Sequence, residues 1–136
     1  FFFRMSFFVP LFGDGSKKFQ PVFIDDVSLA VQTVINKNIK GKNIYELAGP
    51  RVISYRYFYN YISKCLGKTR VLVPFPFRLM KFLVSILEKT PFSPLTSEQL
   101  LLFEEDNLSQ NTFKNFENLN INPQDTLQIT KNIIEN

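Results

Sequence analysis

Apolar residues in this chain follow two rhythms, one helical and one alternating. Val27, Ala30, Val31, Val34 and Ile35 fall at i, i+3, i+4, i+7 and i+8, which predicts a helix with one buried face running to about Asn36. The short apolar run Val22–Ile24 before it predicts a strand, and Asp25 or Asp26 is placed to cap the helix. Ile44-Tyr45-Glu46-Leu47 alternates and predicts a second strand, closed by Gly49-Pro50. Tyr55, Phe58, Tyr59, Ile62 and Leu66 form the next stripe, with Ser54 as cap and Gly67 where a left-handed stop is wanted. Arg70–Val73 predicts a third strand ended by Pro74.

The remainder is punctuated by proline. Pro76 opens a segment, about Phe77 to Glu88, that is apolar nearly all round. Such a helix is either buried on more than one side or rests on a partner or membrane surface. Pro91 and Pro94 break the chain, and Thr96 with Gln99 forms a capping box for a helix to about Glu105. Residues 107–122 are polar and Asn-rich, predicting loop with one helical turn. Pro123 suits the start of a last helix anchored by Leu127 and Ile134. Residues 1–12 predict a short helix or irregular apolar segment ending at Pro10, and Gly13–Ser16 a turn.

Composition narrows the chemistry. The 136 residues suffice for one domain and are 45% hydrophobic, so a packed fold is expected. The expected organisation is a single partial domain: an approach segment over 1–20, a strand/helix lobe over 21–90 and a helical and loop extension over 91–136. The net charge of +4 is scattered rather than striped, which argues against nucleic acid as partner. There is no His, which removes Ser-His-Asp triads, Cys-His pairs and most zinc sites. The one cysteine, Cys65, permits no internal disulfide and has nothing nearby in sequence to activate it. The start, Phe-Phe-Phe-Arg-Met-Ser-Phe-Phe-Val-Pro, lacks the features of a signal peptide and is too short to span a bilayer. It reads as an internal piece of a larger fold.

Gly13-x-Gly15 invites a dinucleotide-loop reading, but Lys18 stands where the third glycine belongs and a strand, not a helix, is predicted next. No tyrosine has Lys four residues on, so the pair in which Lys activates a catalytic Tyr is absent.

Three motifs in order carry a family resemblance: Gln20-Pro21-Val22-Phe23-Ile24-Asp25-Asp26-Val27, then Tyr45-Glu46-Leu47-Ala48-Gly49-Pro50, then Val73-Pro74-Phe75-Pro76. The set resembles the C-terminal half of extended and atypical short-chain dehydrogenases/reductases, the NAD-dependent epimerase/dehydratase superfamily. Within it, the spacing is most similar to the branch containing the NAD(P)H-binding accessory subunit of respiratory complex I, a ubiquinone-reducing NADH dehydrogenase, and its bacterial homologues. The resemblance implies an α/β fold: the C-terminal, substrate-side lobe of a Rossmann-type protein, lacking the Gly-rich N-terminal nucleotide-binding unit. It implies NAD(P)H as the parent's cofactor with no cofactor, metal or catalytic residue in this chain. It also implies, as partner, the missing Rossmann domain or another protein, with a membrane-associated respiratory complex as the alternative. The expected place is the cytoplasm or the periphery of the inner membrane.

Lys18 and Gln20 would then lie near the substrate cleft; the plainer reading is that they are polar side chains at the protein surface. Asp25 and Asp26 are either paired acid/base carboxylates or, with Asp26 as the cap and Asp25 reaching a neighbouring backbone or Arg, structural. Arg51 is a candidate anion or interdomain contact, or a solvated loop charge. A stand-alone module binding an anionic ligand through Lys17, Lys18 and Arg51 is the third functional reading.

Overall fold

A computed structural model describes residues 7–88 and 96–135. The expected breaks at Pro91 and Pro94, and the first residues of the N-terminal segment, lie outside the described residues. In chain order the elements are β1 Phe8–Phe12, β2 Lys18–Phe19, α1 Ile24–Asn36, β3 Ile53–Ser54, α2 Tyr55–Cys65, β4 Val71–Phe75, α3 Phe77–Leu87, α4 Ser97–Leu101, a 3-10 turn Phe116–Leu119 and α5 Thr126–Glu135. They form two compact units, one from Phe1–Phe19 with Ile53–Asn107, the other from Gln20–Val52 with Leu108–Asn136.

In the first unit, β1 and β4 pair in parallel from Phe8↔Val71 to Phe12↔Phe75. Residues 8–12 are therefore a strand, not the predicted helix or irregular segment. The two prolines are tolerated by parity. Val71 donates to the Phe7 carbonyl and Gly13 to that of Phe75, so odd-numbered residues carry the ladder. Pro10 and Pro74 sit at outward positions, where a missing N–H costs nothing. For the same reason β4 runs through Pro74 instead of ending there. Val9 and Leu11 are buried on the inner face while Phe8 is exposed. β2 and β3 form an antiparallel pair, Lys18↔Ser54 and Phe19↔Ile53.

α2 starts and stops as its sequence predicts. The Ser54 hydroxyl accepts from the Tyr57 N–H. At the other end Gly67 is left-handed (φ 62°), its N–H bonds to the Lys64 carbonyl, and that of Lys68 to Ser63, the paired bonds of a Schellman stop. Tyr55 packs among aromatic rings: it stacks on Phe19 at 4.4 Å and leans on Phe103, which stacks on Phe12 at 3.8 Å. Burial pushes the Tyr55 and Tyr59 phenols above their ordinary range. α4 carries the predicted capping box between Thr96 and Gln99, and its Leu100 is completely buried. α3 begins behind Pro76 as expected, but only Val84 on it is buried, so burial on several sides is not what the described residues provide.

In the second unit, Ala30 of α1 packs with Phe116 and Leu119, and Val22, Val34, Ile39, Tyr45, Leu47 and Ile121 surround them half-buried. Two predicted strands are missing. Residues 20–23 run irregularly into α1, and residues 44–47 make one isolated parallel bridge, Tyr45 with Lys114. Alternation marks an extended, half-buried segment; a strand also needs a neighbour, and here the neighbour pairs at one residue. The α1 stripe is also only partly used, since Val31 and Ile35 remain exposed.

The predicted cap is corrected. Phe23 occupies the N-cap position, no side chain caps the helix, and Asp25 and Asp26 are its second and third residues. A cap must stand just outside the helix to reach back to its free N–H groups. Asp26 is inside and its carboxylate is committed elsewhere. The two acids still favour the positive helix end. The final helix anchors through buried Leu127, with Ile134 half-buried.

Candidate functional site

The second unit contains a cavity of about 530 Å³ with a mixed polar and apolar lining. Gln20 forms part of its wall and holds two segments together: its Oε1 accepts the Ser109 N–H at 2.7 Å, and its Nε2 donates to the Gly49 carbonyl at 3.3 Å. Gly49 is required here because a Cβ would lie 1.8 Å from the Pro21 carbonyl oxygen. Glu46 lines the same cavity. Its Oε1 accepts the Gln110 N–H at 3.0 Å, while Oε2 is buried with no hydrogen-bond partner. The 3-10 turn on the far wall is capped reciprocally by Asn115 and Asn118 and ended by Asn120 in the left-handed region (φ 60°). The polar part of the lining is thus amides and two carboxylates, Glu46 and Glu117, beside apolar Phe116 and Ile121, and no cationic side chain lines the cavity. The lining suits a ligand that donates hydrogen bonds and disfavours an anion.

The residues singled out in the sequence do not converge. Of Lys18, Gln20, Asp25 and Arg51, Gln20 alone lines this cavity. Lys18 belongs to the first unit, where its backbone N–H donates to Asp106 Oδ1 at 2.9 Å. Asp25 is exposed in the first turn of α1. Arg51 pairs with Asp125, Nε to Oδ2 at 2.7 Å, with its own side chain well exposed. Asp26 is 3% exposed and accepts from the Gln124 backbone at 2.8 Å and from its side-chain amide at 3.1 Å. That makes Asp26 a tether between α1 and the entry to α5, and it is not paired with Asp25 as an acid/base dyad. Sequence reading missed Glu46 as a cavity residue; a carboxylate in the middle of an alternating apolar run was the available signal. It also missed Gln124 and Asp125, because their partners, Asp26 and Arg51, lie far away along the chain and leave no local signature.

The Gly13–Ser16 turn does not fit a dinucleotide pyrophosphate. Gly13 N–H bonds to the Phe75 carbonyl, Gly15 to Phe12, and Ser16 to Asp14 Oδ1, so these donors are spent. The Phe77 ring fills the space beside Gly13, and the turn leads into β2 and not a helix. Among the described residues no group of three His, Cys, Asp or Glu is arranged to hold a metal, and no helix is long and apolar enough to cross a membrane.

Strands and helices interleaved around small sheets make this a mixed α/β protein. No family model matches the chain. It is similar to the NADH dehydrogenase (ubiquinone) 1 alpha subcomplex subunit 9, mitochondrial, of Arabidopsis thaliana, with 30% identity over 129 residues, covering 85% of this chain. The chain spans 31% of that relative's length. The likeness supports the epimerase/dehydratase resemblance at the level of the superfamily.

Proposed function

We propose that this chain is the C-terminal, substrate-side portion of an NAD(P)-binding, short-chain dehydrogenase/reductase-like protein, and that it acts as a non-catalytic unit alongside a separate nucleotide-binding part. The observation that carries this is the likeness to an NADH dehydrogenase (ubiquinone) subunit over 85% of the chain. A second feature supports it. Val31, Val34 and Ile35 of α1, with Tyr45 and Leu47, line an apolar groove of about 250 Å³ beside the extended but almost unpaired segment 44–47. An unmatched edge next to an uncovered apolar helix face is what a lobe leaves when more sheet is meant to pack on it. Titration of the purified chain with NADH, followed by nucleotide fluorescence, is expected to give no saturable binding. Micromolar saturation would overturn the reading that the nucleotide site lies in a separate part.

A structural role in a membrane-associated respiratory assembly is the companion reading, favoured by the name of the relative and by α3. Its Leu79, Phe82, Leu83 and Ile86 stand at i, i+3, i+4 and i+7 and are all exposed, a stripe suited to a partner surface. In this reading the chain sits at the periphery of the inner membrane. Tagged chain should co-migrate with a membrane NADH dehydrogenase on native gels; recovery solely as free chain would count against it.

A further inference from the structure

We infer that residues 44–47 are a docking edge for an extended, acid-ended segment of a partner protein, which adds a strand there and seats alternate apolar side chains against α1. The inference rests on the reading that further sheet packs on this lobe, and it says what that sheet pairs with. Strand parity makes the edge specific. The Glu46 N–H donates to the Lys114 carbonyl at 2.7 Å, and Tyr45 is bridged in parallel to Lys114. Successive residues of an extended chain direct their backbone groups to opposite sides. Tyr45 and Leu47 therefore turn their N–H and C=O groups away from Lys114, and among the described residues neither makes a backbone hydrogen bond.

The side chains of the same two residues line the groove of about 250 Å³ with Val31, Val34 and Ile35, and apart from the Tyr45 hydroxyl its whole lining is apolar. Val31 and Ile35 are 54% and 70% exposed. A strand paired with Tyr45 and Leu47 presents every second side chain on their face of the sheet, toward this groove. An acyl chain would fill the groove but offers no donor or acceptor to the edge. A helix laid on Val31 and Ile35 would shut the backbone groups of Tyr45 and Leu47 from water without pairing them, which is unfavourable. An extended segment satisfies the backbone and the apolar face together. Charge narrows the partner. Lys40 and Lys42, in the bend that enters this edge at left-handed Gly41, are both exposed, and neither has an ion pair among the described residues. The matching segment therefore carries an acid at the end that passes them. A second copy of this chain is the poorer fit: the one acid on its own edge, Glu46, already accepts from the Gln110 N–H, and two copies would each bring a net charge of +4.

The test titrates the ¹⁵N-labelled full chain with the peptide acetyl-Glu-Val-Thr-Val-Thr-Val-Asp-amide, acidic at both ends so that either strand direction sets an acid beside Lys40 and Lys42. Saturable amide shifts over residues 30–35 and 44–48 are expected, with slowed hydrogen exchange at the Tyr45 and Leu47 amides. Binding is expected to weaken about tenfold or more when the valine and threonine amides of the peptide are N-methylated, and likewise in Val31→Lys. Val31 is exposed, so that variant keeps its fold, which its amide spectrum checks directly. In K40E/K42E the preference is expected to pass to the same peptide with lysine at both ends. Absence of saturable shifts, equal binding of the N-methylated peptide, or a Val31→Lys chain that binds as well as the parent overturns the proposal, and an unchanged preference in K40E/K42E overturns the acidic partner. Shifts at the same residues that follow protein concentration with no peptide present assign the edge to a second copy and overturn it too. Saturable NADH binding would overturn the reading of the lobe without altering any of these outcomes, so the two fail separately.

Discussion

Asp26 and Arg51 both make a close polar contact, and they should differ in what they contribute. Asp26 is buried and accepts two hydrogen bonds from Gln124, so Asp26→Ala strands the Gln124 donors and should cost about 2–3 kcal/mol. Arg51 is 59% exposed at its side chain, so Arg51→Ala should cost no more than about 1 kcal/mol. Urea midpoints of the two variants check the ordering; a larger loss for Arg51→Ala would reverse the roles given to them. Gly49→Ala forces a Cβ against backbone and should cost about 3 kcal/mol or more. Tyr59 supplies a pH dependence. Burial first, and then the neighbouring Tyr55, raise its pKa in the folded chain, so above pH about 10 the unfolded chain loses its phenol proton more readily. Stability should be unaffected by this group below that pH and fall as pH rises beyond it. Absorbance titration at the tyrosinate band, compared with Tyr59→Phe, should show the missing step at the alkaline end.

At the scale of elements, α4 and α3 make opposite predictions from similar apolar sequences. Leu100 of the five-residue α4 is completely buried, and Leu100→Ala should cost about 2–5 kcal/mol. Phe82 of α3 is 60% exposed, and Phe82→Ser should change stability by less than about 0.5 kcal/mol while reducing self-association. Denaturant midpoints read the first effect and sedimentation velocity the second. A large stability loss on Phe82→Ser would mean that α3 is packed after all.

Across the described residues only nine apolar side chains are buried, while Phe7, Phe8, Leu102 and Ile133 are among the large ones left more than half exposed. Hydrophobic burial is the main favourable contribution to folding, so a core this small predicts marginal stability for the isolated chain. Dye binding to exposed apolar surface and concentration-dependent sedimentation are therefore expected near neutral pH. A sharp, concentration-independent melt at high temperature with no dye binding would contradict this.

Local order was legible where its causes are local. Helix spacing, the Ser54 cap, the Gly67 stop, the Thr96–Gln99 box and the Pro76 start are each set by interactions within a few residues, and the chain spells them out. Gln20 was legible as a residue of interest, though not as a brace satisfied at both ends. What only tertiary structure decided depends on distant partners. Residues 8–12 became a strand because Val71–Phe75 lay alongside, whereas residues 44–47, with better alternation, found a neighbour at one position. The Asp25-Asp26 pair shows the same division. The sequence placed two acids at a helix start, and only the arrival of Gln124 from a hundred residues away split them into one solvated charge and one buried tether.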